Sequence, residues 1–319
     1  MKAALLTSYT NSKFYGDGNL SVTSISSPDY IKKNSLVFLF KKDRVFDSTI
    51  CNYVVFVTNE EISKTLSNHN VLVTSNPKLA LAELSNLFIT EHSSQKLLEP
   101  QNKGFIGSKS NVGVNLSLGC NVIIEDFVEI GNNVKIGHNV VIYSNSVIGN
   151  NVTIESGSII GSEGFGNVQD RDKNWIHICH LGGVVIEDGV SIGSNCTIDK
   201  GTIDNTIIRS GVIIDNQVHV AHNVEIGEKT AIAANTGIAG SCKIGKRNLI
   251  GGMVGIVDHI STVDDVVITA TSSVIKDINE PGVYSGVMPI AKHSKWKRIA
   301  FWISKLDKII RINKLKIKS

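Results

Sequence analysis

The chain has 319 residues, 42% of them apolar, enough to bury the core of one large domain and a smaller one. Five widely spaced cysteines (Cys51, Cys120, Cys179, Cys196 and Cys242), odd in number and without a C-x-x-C, argue against a disulfide framework or a zinc clip. They point to a reducing cytoplasm, and no signal peptide is expected; no run reaches the ~18 apolar residues a membrane span requires. The net charge of +3 is uneven, because Lys292 to Ser319 carries ten Lys/Arg against Asp307, a balance of +9 that leaves the rest near −6.

Residues 1–100 alternate the strand-like runs SLVFLF, NYVVFVT and NVLVTS with one helix. Asn76 caps that helix, Pro77 opens it, and Leu81, Leu84, Leu87 and Phe88 mark its apolar face. A small α/β domain is predicted there, and HSSQKLLEPQNKG, ending near Gly104, reads as the linker.

A different rule governs 104–280. Steps of six from Ile106 reach Val112, Leu118, Ile124, Ile130, Ile136, Ile142, Ile148, Ile154 and Ile160 without a miss, with Gly or Asn commonly following. The period resumes at Ile186, Ile192 and Ile198, slips phase, and runs again from Ile208 to Ile256. Each hexapeptide makes one short strand and a corner, so three close a triangular coil of about eighteen residues filled by the aliphatic set. The fold class is therefore mainly β, a hexapeptide solenoid. The excursion from Gly161 to Gly183 cannot fill inward positions, and such excursions carry function or brace a neighbouring subunit.

The extension 281–319 loses the period. Ile299, Trp302, Ile303, Leu306, Ile309 and Ile310 recur at helical spacing among cations, giving an amphipathic basic helix. It suits packing, an acidic protein partner, or at most peripheral membrane contact.

The ordered motifs FYGDGNLSVTSI, GSEGFG, TIDKGTIDNT, GVIIDNQVHVAHNVEIG, IAGS, IGG and EPGVYSGVMP span nearly the whole chain. They resemble the UDP-3-O-(3-hydroxyacyl)glucosamine N-acyltransferases of lipid A biosynthesis. The resemblance implies a homotrimer of left-handed parallel β-helices, a uridine-binding N-terminal domain and a C-terminal helical extension. It also implies transfer of a 3-hydroxyacyl chain from acyl carrier protein to the 2-amino group of a UDP-3-O-acylglucosamine. Neither a cofactor nor a nucleic-acid partner is expected. The basic side chains Lys292, Lys295, Lys297, Arg298, Lys305, Lys308 and Arg311 would meet the acidic carrier. The alternatives are an N-acyltransferase for another nucleotide-activated amino sugar, or a non-catalytic solenoid that binds partners.

Two histidines in NQVHVAHNVEIG, His219 and His222, face outward, since Val218, Val220 and Val224 are the inward set. His-Asn at a corner can be turn chemistry alone, as at His138. The resemblance assigns His222 as the general base that takes the proton of the attacking amine. Gly240, eighteen residues on, places its N–H one strand spacing away, where it is either an oxyanion donor or relief for a corner. Asp215 is a candidate to orient the imidazole. His259, again outward, matches a substrate-contacting histidine, and Asn216 is grouped with it as a substrate contact. Phe38 matches the family's uracil-stacking Phe, but Lys41 and Arg44 stand where Asn and Tyr are expected, and both can still serve a nucleotide. A metal held by His177, His180, His219 and His222 is disfavoured, because two of these lie in an excursion without fixed phase.

Overall fold

The computed structural model describes residues 1–28, 31–41, 46, 48–66, 68–88, 104–169, 171–286 and 290–312. It divides into two compact units, Met1–Leu98 and Glu99–Ser319. Apart from Gly104, most of the expected linker lies outside the described residues.

The first unit is built on five strands: β1 (Ser12–Tyr15), β2 (Ser24–Ser26), β3 (Ser35–Phe38), β4 (Val54–Thr58) and β5 (Asn70–Thr74). Their order is β1-β5-β4-β3-β2, with β1 antiparallel to β5 and the others parallel. The run VVFVT of β4 is buried on both faces, as a central parallel strand requires. Helix α1 (Glu60–Ser63) and helix α2 (Pro77–Ser85) follow β4 and β5. Asn76 caps α2 as its sequence predicts, its Oδ1 accepting the Leu79 N–H at 3.1 Å.

The second unit is a parallel β-solenoid of three sheets with seven, nine and nine strands. Pairing joins residues eighteen apart, as in Ile130 with Ile148 and Ile232 with Ile250, so three hexapeptides close one coil. The period-six isoleucines and the valines two residues before them form one continuous buried core. Each fully buried aliphatic contributes about 1.5–3 kcal/mol. The corners require left-handed backbone, and nine asparagines from Asn115 to Asn235 supply it with φ between 56° and 64°. This is why Asn so often follows the Ile-Gly pair.

Two insertions break the count. Ile160 pairs with Ile198, 38 residues on, because the excursion leaves the coil there. It contains an antiparallel hairpin, Asn167–Gln169 with Trp175–His177. Ile198 then pairs with Val220, 22 residues on, so the phase slip is a four-residue insertion. Both insertions come to one corner of the solenoid.

Helix α3 (His293–Ile312) ends the described chain. Trp296, Phe301, Trp302, Ile303 and Leu306 on it are about half exposed. Among the described residues no helix is long and apolar enough to cross a membrane.

Candidate active site

The corner rule explains where the site lies. At the residue two after each core aliphatic, the backbone N–H is usually capped by the side chain eighteen residues on. Val114 N–H donates to Asn132 Oδ1, Cys120 N–H to His138 Nδ1 and Lys246 N–H to Asp264 Oδ1. His138 is thus a corner cap. His222 holds the same phase, but the side chain that would cap its N–H belongs to Gly240, which has none. The Gly240 N–H in turn has no hydrogen-bond partner among the described residues.

Glycine is needed at 240 for room. A Cβ there would stand 2.6 Å from His222 Nε2 and 2.7 Å from Cε1. The free N–H and the imidazole edge therefore sit side by side, held by Ser241 N–H to His222 O at 2.9 Å and His259 N–H to Gly240 O at 3.0 Å.

The other edge of the imidazole is fixed by the four-residue insertion. Asn223 Nδ2 donates to the Asp204 carbonyl, and Asn223 Oδ1 accepts the Thr202 N–H, which settles which way the amide points. His222 Nδ1 lies 3.1 Å from that same Oδ1, so Nδ1 must carry the proton. The lone pair is then on Nε2, beside Gly240. Thr202 Oγ1 lies at 3.4 Å on the same side as Asn223.

The motif GSEGFG closes round the ring. A Cβ at Gly164 would meet His222 Cβ at 3.0 Å, and one at Gly166 would meet His180 Cε1 at 2.5 Å. Without them His180 packs edge-on against His222, centroids 5.2 Å apart. His180 is 3% exposed, and burial lowers its pKa, as would a positive charge on His222.

His222 and Gly240 open on a cavity of about 660 Å³, lined also by Phe165, Asp199, His219, Asp258 and His259. His219, Gly237, Gly255 and Ser273 form one cross-strand column along it. A Cβ on Gly237 or Gly255 would meet nothing within 4 Å, so this groove is kept open by choice of residue and not by packing. Asp199 accepts from Ser162 Oγ at 2.9 Å and lies 3.7 Å from His219 Nε2. Burial pushes its carboxyl up, against the pull of Ser162 and of His219, His222 and His180. His219 Nδ1 is 2.8 Å from Thr197 Oγ1, half-exposed at the rim.

Of the residues singled out by sequence, His222, Gly240 and His259 come together. Asp215 does not join them: it sits one corner earlier, where its carboxylate bonds the Asn216 N–H and Nδ2. Its place beside the imidazole is taken by Asn223. Asn216 Oδ1 caps the Ser194 N–H at 2.7 Å, a corner role away from the cavity. In the first unit Phe38 is 5% exposed, buried with Leu6, Leu36 and Leu72, whereas Phe40, stacked on it at 6.4 Å, is 47% exposed. Phe38 is thus core, a departure from the expectation that its ring stacks on a base, and Phe40 beside it is exposed. Lys41 is exposed, and Arg44 lies outside the described residues. Lys292, Lys295, Lys297, Arg298 and Lys305 lie at the start of α3 and along it, while the side chains of Lys308 and Arg311 lie outside the described residues. Asp199, Asn223 and Thr202 were not singled out by sequence, although TIDKGTIDNT contains two of them.

The family model "Bacterial transferase hexapeptide (six repeats)" matches residues 127–162 and 205–240. A UDP-3-O-acylglucosamine N-acyltransferase of Coxiella burnetii is 36% identical over 270 residues, 76% of this chain and 78% of that protein. One from Hahella chejuensis is 44% identical over 154 residues, 48% of this chain, so the match spans less than half the length of that relative. Among solved structures, LpxA from Acinetobacter baumannii is similar at TM-score 0.52 and 24% identity, covering 68% of this chain and 83% of that one. A UDP-N-acetylglucosamine acyltransferase is similar at TM-score 0.54 and 22% identity, covering 69% and 85%. Those two likenesses establish the solenoid fold. The extent of the Coxiella match, over both the period-six core and the corner that holds His222, makes the chain a member of the UDP-3-O-acylglucosamine N-acyltransferase family.

Proposed function

We propose that the protein transfers a 3-hydroxyacyl chain from acyl carrier protein to the 2-amino group of UDP-3-O-(3-hydroxyacyl)glucosamine, a step of lipid A biosynthesis. The observation that carries this reading is the pairing of a lone-pair-bearing His222 Nε2 with the free Gly240 N–H in one cavity. The sugar's amine attacks the thioester carbonyl while His222 Nε2 takes its proton, and the oxyanion accepts from Gly240 N–H. Collapse breaks the C–S bond, and the imidazolium returns the proton to the departing thiolate. A positioned base contributes typically 10²–10⁴-fold and one fixed oxyanion donor about 10²–10³-fold. Asp199 lies where it can respond to charge on the histidines, and His259 where it can meet the sugar nucleotide.

A homotrimer and the carrier belong to the same reading. Exposed Phe165, Trp175, Ile176 and Leu181 on the excursion support contact with a second copy. The +9 tail supports an acidic carrier, for which KM should climb with salt. Lys41 and Arg44 favour a second reading, another nucleotide-activated amino sugar as acceptor. Incubating the chain with 3-hydroxyacyl carrier protein and a panel of UDP-amino sugars, and weighing the products, tests both. N-acylation of UDP-3-O-acylglucosamine is expected, and no acylation of any acceptor would remove the proposal.

A further inference from the structure

The excursion carries a side-chain cluster that acyl transfer leaves unused. Glu163 follows the strand Ile159–Ser162, His177 ends the second strand of the hairpin, and His180 lies on the path back to the solenoid. One donor atom from each lies within 4.8 Å of the other two. His177 Nε2 bonds Glu163 Oε2, while Lys200 Nζ approaches the other oxygen, Oε1, at 3.4 Å. His180 is buried, and among the described residues neither of its ring nitrogens makes a hydrogen bond of full geometry, the Ile178 backbone being a polar neighbour that affects its pKa. The Ile178 backbone can serve at most one nitrogen of the buried ring, and the nitrogen left over points to a ligand that is not polypeptide.

We propose that Glu163, His177 and His180 bind a divalent transition-metal ion, of which Zn²⁺ fits the donor set best. Two imidazoles and a carboxylate hold zinc at ~2.0–2.2 Å with a fourth position left to water. Tetrahedral geometry sets donors roughly 3.3 Å apart. Half-exposed His177 and Glu163 are free to close that distance on the fixed His180. Calcium and magnesium prefer all-oxygen shells, so they fit poorly. This set differs from the four-histidine grouping, since His219 is turned to Thr197 and His222 to Asn223. Through His180 the ion would sit next to the cavity and add positive charge beside His222.

Calorimetric titration of the chelator-stripped full chain with Zn²⁺, repeated with Co²⁺ and followed by visible absorption, tests the site. One ion per chain and tetrahedral Co²⁺ bands are expected. His180→Ala, His177→Ala and Glu163→Gln should each weaken binding at least about tenfold. His222→Ala should bind as the parent does. Because His177 is exposed, His177→Ala keeps the test open if His180→Ala does not fold. The site is overturned by an absence of saturable binding, by binding unchanged in both His177→Ala and Glu163→Gln, or by binding lost in His222→Ala, which would put the ion among the cavity histidines.

Discussion

The backbone of Gly240 and the imidazole of His222 share one space, with 2.6 Å between Nε2 and the point where a Cβ would stand. Gly240 does not adopt positive φ, so alanine is acceptable to its backbone and unacceptable only to the ring. Gly240→Ala should therefore shift the melting temperature little while lowering kcat by about 10²-fold or more, the penalty typical of an ångström of misplacement. Activity within a few-fold of the parent would show that the ring is not held against this amide.

Asn223 fixes the proton on Nδ1 of His222 and adopts φ +61°, a conformation that aspartate also tolerates. Asn223→Asp keeps the acceptor and adds a negative charge that favours the imidazolium. The acid limb of the kcat/KM profile should move to higher pH, and the lost bond to Asp204 should lower stability by about 1 kcal/mol. An acid limb that stays in place would separate Asn223 from the base.

Burial holds the Asp199 carboxyl above its ordinary value of 3.8. The folded state then binds the proton more tightly than the unfolded state. The stability this contributes is full below 3.8 and is lost as pH rises through the folded pKa. Asp199→Asn stays neutral throughout, so its melting temperature relative to the parent should rise by a few degrees from acid to neutral pH. A difference that does not change with pH would contradict the shift.

Much of this was legible in the sequence because the solenoid is a local code. An aliphatic every sixth residue with a left-handed Asn at the corner fixes the coil, and counting eighteen places Gly240 over His222 and Asp258 over Gly240. Counting fails where residues are inserted. The insertion of four residues between Ile198 and Ile208 carries Thr202 and brings Asn223 and Asp199 into the site, and no period announces it. Asp215 misled for the same reason in reverse. Seven residues before His222 is one corner away on a triangle, so closeness in sequence put its carboxylate on a different edge. The motif match that points to Phe38 does not distinguish a ring buried in the core from the exposed Phe40 two residues later, beyond the strand end.

Gly237 and Gly255 leave a groove with no neighbour to require it. Valine favours strands by up to about 1 kcal/mol, so Gly255→Val should leave the melting temperature equal or higher. If substrate occupies the groove, KM for the acyl donor or the sugar nucleotide should rise about tenfold or more. Unchanged kinetics would show that substrate lies elsewhere, and a broken oligomer would assign the groove to a neighbouring subunit.

The most direct test of the account is the turnover of His222→Ala against His138→Ala, two histidines of identical phase in one solenoid. With 3-hydroxyacyl carrier protein and UDP-3-O-acylglucosamine as substrates and the fold verified by circular dichroism, His222→Ala should lower kcat by about 10²–10⁴-fold. His138→Ala, which loses only the cap on Cys120, should keep near-parental kcat with a small loss of stability. If both variants turn over alike, His222 is corner chemistry too, and the general base lies elsewhere.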